Sequence, residues 1–459
     1  MAGNLSIDGL ISGLDTTDLI NQLMEVERIP ITQLEARKAG YNQKISLWQA
    51  ANTKLLALLT SAGSLTSAST FQAKKVEVSN SDILSATASS SAVSGSYQLR
   101  VEQLAYAHQM ATTSTYADYD TTTFGEGTIT LQVGEGDEVE IAIDSSNNTL
   151  EGIKNAINQA DAGVQASIVK VSGGYKLLLA SETTGEAGEI SITSALTEGG
   201  AILSSFDTIQ PAQNARIVLG SGSSALVYES SSNVITDFLP GVTLNLKAVS
   251  TEVVTLKVDK DLEGIKNSIL DLVRRYNDFS QFVKDNTFYD ADTKEGGALL
   301  GDTTLSRIMS GINGKLFGSV SSPNEKYDSL VALGILIDRY GQISVDEEKL
   351  SKALEDDLGA VENVFRGDRG VAGALKGYLY FVTDPREGTL KDTQDLYKNL
   401  IKDIDERIEV MEGRLEKQAE RLRKQFTAME SALSLLQTQA TWLSQQIAVL
   451  SSFNYYQRK

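Results

Sequence analysis

The stretch SALSLLQTQATWLSQQIAVLSSFNYYQ, residues 431–457, contains no Lys, Arg, Asp or Glu. Leu422, Phe426, Met429, Leu433, Leu436, Ala440, Leu443, Ile447 and Leu450 nevertheless recur at alternating spacings of four and three. That is the heptad rhythm of a helix with one packed seam. Ordinary coiled coils flank such a seam with Glu and Lys, which keep the outer face in water. Here the flanks are Ser, Thr, Gln and Ala, uncharged and small enough to bury, so the helix is expected to be surrounded by protein. Gln437, Gln439, Gln445 and Gln446 would be costly in lipid, and no membrane insertion is expected.

Working upstream, the same helix is expected to start near Thr389, after Pro385. Its first half is charged, with Asp403 and Arg407, and Glu420 and Lys424, paired at i, i+4. The other end of the chain is also helical in pattern. Asp15 can cap a helix whose apolar face is Leu19, Ile20, Leu23, Met24 and Val26, and Pro30 is expected to close it. A second helix follows, with Leu34, Tyr41, Ile45, Trp48, Leu55, Leu58 and Leu65 inward and its end near Gly63.

Between these ends the texture changes to Ser, Thr, Gly and Val with period-two alternation. Val76–Val78 and Tyr97–Val101 read as strands, and Thr128–Val133 with Val139–Ile143 reads as a hairpin around Gly134–Gly136. A helix at Leu150–Gln159 interrupts the strands, which resume at Gln165–Val171, Tyr175–Leu179, Val242–Leu246 and Val253–Val258. Helices return at Leu262, then after a cap at Asp302, with a hairpin at Gly334–Val345. The expected fold class is therefore α+β and multidomain: a helical stalk from both termini, a helical leg, and β-rich head domains inserted between.

Composition bounds the function. A net charge of −19 argues against nucleic acid and against an anionic membrane surface. With no cysteine and His108 as the sole histidine, thiolate chemistry and multi-histidine metal sites are excluded. His108 is read as a surface or packing residue. The first basic residue is Arg28, so a charged secretory n-region is not expected. No enzyme constellation is present, and no cofactor is expected.

Ile7 to Ile31, IDGLISGLDTTDLINQLMEVERIPI, resembles the N-terminal signature of the flagellar filament cap family, hook-associated protein 2. Gln425–Glu430 and Trp442–Gln446 are similar to that family's C-terminal signature. Leu333–Phe365 resembles its hairpin–helix unit, and Asn148–Val169 resembles a small β-rich module of flagellin-like head domains. The resemblance implies a homo-oligomeric ring of about five or six subunits at the distal flagellar tip. Such a ring retains flagellin and helps it fold and insert. It also implies export through the flagellar type III channel, contact with flagellin and hook–filament junction proteins, and an export chaperone on the C-terminal helix. The implied division is 1–70 and 389–459 for the terminal stalk, and 71–105 with 261–388 for the leg. Residues 106–135 with 206–260 then form one head domain and 136–205 a second.

Several motifs carry nothing. Leu336 to Glu347 half-matches a calcium loop, but Leu336 and Tyr340 stand where ligands would be. Asp290–Asp292 reads as a solvated loop, Arg366–Asp368 as a chance adhesion tripeptide, and Gly220–Gly222 lacks the Lys-Ser/Thr of a phosphate loop. The alternative reading of the whole chain is a tip-exposed adhesin for host mucin or glycans. For the C-terminal seam, the competing reading is a plain hairpin with residues 34–65. The oligomer or filament interface is expected at Leu19, Leu23, Leu55, Leu422, Phe426, Met429, Leu433, Leu436, Leu443, Ile447 and Leu450.

Overall fold

The computed structural model describes residues 13, 15–197, 203, 205–318, 326–366 and 370–456, with side chains described as far as residue 448. The chain opens with α1 (Thr16–Ser64) and a single turn, α2 (Ala68–Phe71). Strands β1 (Lys74–Val78), β2 (Leu84–Ala88) and β3 (Gly95–Gln103) come next. They are followed by β4 (Ala107–Thr112), β5 (Gly127–Val133), β6 (Val139–Ile143), α3 (Leu150–Gln159), β7 (Val164–Val171), β8 (Gly174–Thr184), β9 (Ile190–Leu196) and β10 (Phe206–Gln210). Then come β11 (Ala215–Leu219), β12 (Leu226–Ser230), β13 (Val234–Leu239), β14 (Val242–Leu246) and β15 (Val254–Lys260). The last part holds α4 (Leu262–Thr287), α5 (Thr303–Leu316), the hairpin β16 (Ile335–Ile337) and β17 (Ile343–Val345), α6 (Glu347–Asp356), α7 (Leu358–Arg366), α8 (Val371–Thr383) and α9 (Thr389–Tyr456). Two compact units result: Ser67–Lys266 in one, and the two flanking segments, 1–66 and 267–459, in the other. The β-rich unit is thus an insertion in the helical chain, as the patterning requires.

Within the β-rich unit there are two cores. A five-stranded sheet, ordered β1-β15-β3-β11-β12, and a three-stranded sheet, β13-β14-β2, share a core that includes Leu84, Leu99, Val101, Ile217, Leu244 and Leu256. The second core lies among β10-β4-β8-β7, β6-β5-β9 and α3, around Ile129, Leu131, Ile153, Ile157, Leu177 and Leu179. Thr149 caps α3 by accepting from Gly152 N–H, and Asn158 ties it to β7 through both the N–H and the C=O of Ala166. His108 is buried in this module. Its Nδ1 accepts from Ile190 N–H at 2.8 Å and its Nε2 lies 3.3 Å from Thr208 Oγ1, so it is a packing residue.

These pairings divide the insertion differently from the sequence-based expectation. Residues 71–105 do not serve a helical leg; β1 and β3 pair with β15, and β2 with β14. Residues 106–135 join 136–205, because β4 pairs with β8, and β5 pairs with β6 and β9. Strand patterns show which face is buried but not which distant strand completes the ladder.

The helical unit departs from the sequence reading at Pro30, and it adds α8, a helix the sequence reading did not place. Pro30 does not close a helix; α1 runs through it for 49 residues. Proline removes one i→i−4 hydrogen bond and crowds the preceding turn. The packing of α1 on both sides of Pro30 offsets that loss, with Ile20 and Ile31 buried. Both expected caps are formed. Asp15 accepts from Asp18 N–H at the α1 start, and Asp302 from Thr304 and Leu305 N–H at the α5 start. Trp48, Leu55, Leu58, Leu375 and Leu379 lie in the core. The β16–β17 hairpin is pinned to α4: Asn277 bonds both N–H and C=O of Ile343, while Tyr276 and Ser280 hydroxyls donate to Gly341 C=O. Burial pushes the Tyr276 hydroxyl up to about 12.

Candidate assembly surface

The surface begins with the pairing of α1 and α9. Arg28 reaches Glu412 at 3.3 Å, Lys38 reaches Asp405 at 2.5 Å, and the rings of Tyr41 and Tyr397 lie 5.7 Å apart. As the α1 number rises the α9 number falls, so the helices run antiparallel. Lys44 Nζ sits 5.7 Å above the Tyr397 ring, a cation–π contact at the same joint. Inward positions of α9 here are Leu390 and Ile404. Continuing that register places Thr16, the first residue of α1, beside about Lys424.

Beyond that point, among the described residues, α1 offers α9 no partner. The side chains there are exposed: Leu436 is 59% accessible, Leu443 53% and Ile447 63%. The flanks remain free of charge as far as residue 456. At about 1.5 Å per residue, α9 spans roughly 100 Å and its charge-free end almost 40 Å. The pairing of α9 with α1 runs through Tyr397, Asp405 and Glu412, upstream of the 422–450 seam, so that seam does not form a hairpin with residues 34–65. The first half of α9 pairs with α1, and the stretch past Glu430 leaves apolar, uncharged side chains exposed. This row of exposed apolar residues is the candidate assembly surface.

The expected interface residues separate into groups. Met429, Leu436, Leu443 and Ile447 are exposed on the second half of α9, while Leu422, Phe426 and Leu433 are half-buried. Leu19 and Leu23 are exposed on α1, whose Thr16 and Ile20 are the buried positions. Leu450 lies in α9, but its side chain is outside those described. Leu55 is corrected: it is fully buried in the helical unit's own core and cannot face a partner. Its apolar spacing looked the same as that of an interface residue because both kinds of burial need the same pattern. Leu435 and Trp442, 63% and 59% accessible, were not anticipated, although their seven-residue spacing is visible in the sequence.

The discounted motifs have structural uses. The Asp338 carboxylate accepts from Tyr340 and Gln342 N–H, so it caps a turn. Asp290 does the same for Asp292 and Thr293 N–H. Arg366 Nε donates to Thr66 C=O, and Gly367 and Asp368 lie outside the described residues. Among the described residues, no group of three or more His, Asp or Glu side chains is placed to hold a metal ion, and no helix is long and apolar enough to cross a membrane.

Residues 12–108 match the profile of the flagellar hook-associated protein 2 N-terminus, and residues 212–438 that of its C-terminus. The unmatched interval between them coincides with the module of β4 to β10. The B-type flagellar hook-associated protein 2 of Pseudomonas aeruginosa is 31% identical over 437 residues, covering 88% of this chain and 91% of that protein. The flagellar hook-associated protein 2 of Escherichia coli is 28% identical over 388 residues, 80% of this chain and 81% of that one. The crystal structure of the D1-D2-D3 domains of the flagellar cap protein FliD from Escherichia coli superposes with a TM-score of 0.63 at 30% identity, covering 76% of this chain and 99% of that one.

Proposed function

The chain belongs to the flagellar hook-associated protein 2 family, and we propose that it is a structural cap at the distal end of the bacterial flagellar filament. Copies assemble there as a ring that retains exported flagellin and promotes its folding and insertion as the filament lengthens. The observation that carries this reading is the stretch of α9 past Glu430, which is free of charge, leaves Leu435, Leu436, Trp442, Leu443 and Ile447 exposed, and lies beyond the reach of α1 among the described residues. Such a segment is stable in water only when other protein covers it. The work is done by binding and release, with no covalent step.

The chain reaches its place through the flagellar export channel, contacts flagellin and the hook–filament junction proteins, and is accompanied before export by a chaperone on its C-terminal helix. The adhesin reading has no observation in its favour and is not carried forward.

A strain lacking the chain tests this. Complementation with the full sequence restores motility and ends the loss of flagellin monomer to the medium. A version truncated after Glu430 folds through both units yet leaks flagellin as the deletion strain does. Normal capping by the truncated protein would sink the assignment of the tail.

A further inference from the structure

Tyr41 on α1 and Tyr397 on α9 lie towards opposite ends of the chain, yet their rings meet with centroids 5.7 Å apart and planes inclined at 39°. Both side chains are half-buried, held by neighbours but within reach of small molecules. Lys44 Nζ stands 5.7 Å over the Tyr397 ring, and the Lys38–Asp405 pair fixes the helix register about one turn from Tyr41. The ion pairs at this joint are exposed and therefore weak. With no cysteine, the chain cannot reinforce the joint by a disulfide.

A second tyrosine pair, Tyr119–Tyr175, is closer at 5.1 Å but nearly perpendicular, at 71°. That difference decides what each pair can do. When two phenoxyl radicals couple, the new bond starts between π orbitals that stand perpendicular to the rings, so the rings must approach face to face. Tyr41 and Tyr397 are a modest rotation from that arrangement. An edge-to-face pair instead points ring hydrogens at its partner's face. We propose that Tyr41 and Tyr397 form an oxidative crosslinking site, at which a peroxide, acting through a one-electron carrier, couples the two rings into a dityrosine that ties α1 to α9.

Each phenol loses one electron and its hydroxyl proton. The two radicals join through a ring carbon ortho to each oxygen, and the hydrogens on those carbons move to the oxygens to restore both aromatic rings. One carbon–carbon bond is gained and two hydrogen atoms leave the protein. The two electrons break the O–O bond of the peroxide. Hydrogen peroxide also takes the two protons and leaves as two waters; persulfate leaves as two sulfates and the protons pass to solvent. The pair exists only in the folded chain, because the packing of α1 on α9 brings it together. Closing the long loop between residues 41 and 397 restricts the unfolded chain and so stabilises the helical unit. The site needs the fold alone and is independent of the cap reading.

Dilute full-length protein, mixed with tris(bipyridine)ruthenium(II) and persulfate and given a brief flash of visible light, tests this. The monomer is then isolated, digested and analysed by mass spectrometry. The expected product is a monomer lighter by two hydrogens, with dityrosine fluorescence and one dominant linked peptide pair that joins residues 41 and 397. Tyr41→Phe and Tyr397→Phe should each remove that link and its fluorescence, while Tyr119→Phe leaves both in place. Unfolding in urea before the flash should abolish the link. Crosslinked monomer, separated from unreacted chain, should unfold at a higher urea concentration. A monomer that gains no link overturns the proposal. So does a link between Tyr119 and Tyr175 that exceeds the one between Tyr41 and Tyr397, or an undiminished yield in Tyr41→Phe.

Discussion

The ammonium of Lys38 lies 2.5 Å from the carboxylate of Asp405, 367 residues further along the chain. This pair joins the two ends of the polypeptide and sets the register in which α1 meets α9. Both partners are substantially exposed, so the pair is expected to contribute no more than about 1 kcal/mol. Lys38→Glu should lower stability by less than that in urea unfolding, and Lys38→Glu combined with Asp405→Lys should recover most of the loss. Two single losses that simply add would show that the register is different.

Leu55 and Leu443 look alike in sequence and should behave oppositely. Leu55→Ala opens a cavity in the helical core and should cost about 2–5 kcal/mol of unfolding free energy. Leu443→Ala removes an exposed side chain and should change the stability of the isolated subunit by about 0.5 kcal/mol or less. Denaturant midpoints of dilute protein measure both; similar losses would contradict the burial of Leu55 and the exposure of Leu443.

Pro30 is exposed in the interior of α1. Pro30→Ala restores a backbone N–H to the helix and should raise stability by about 1–3 kcal/mol. A calorimetric or circular-dichroism midpoint would register this as an upward shift. A drop would mean that the ring is needed for its own contacts.

Acid should unfold the β-rich unit through its loop-capping carboxylates. The Thr121 hydroxyl, with the Thr122 and Thr121 amides, holds the Asp118 carboxyl down to about 2. In the unfolded chain an aspartate titrates near about 3.9. A group whose folded value is depressed stabilises the protein above its unfolded value and loses that contribution as pH falls through the folded one. Stability should therefore hold from neutral pH to about 5 and decline between about 4 and 2. Asp118→Asn should lower the plateau and flatten part of that decline. An identical pH profile for the variant would remove Asp118 from the account. Asp384, held low by the Glu387 and Arg386 amides, acts in the same direction in the helical unit.

Much of this was legible in the residues. α3 occupies Leu150–Gln159 where the sequence places a helix, and the β5–β6 hairpin turns at Gly134, whose φ of 57° suits glycine. The β-strand partners were not legible. Nothing in Lys74–Val78 says that it pairs with β15, nearly two hundred residues away, because alternation encodes a face and not a neighbour.

The sequence alone determined the local matters: helix and strand periods, the caps at Asp15 and Asp302, the insertion of a β-rich segment into a helical chain, and the charge-free heptad end. Each follows from interactions between residues a few positions apart. Only the tertiary structure decided that Leu55 is core while Leu443 is surface, that α1 continues through Pro30, and how far along α9 its partner reaches. Those outcomes depend on packing between distant segments, where the same apolar spacing satisfies either an internal core or another molecule. Which of the two covers a given leucine is set by how many residues each helix has left after the other ends.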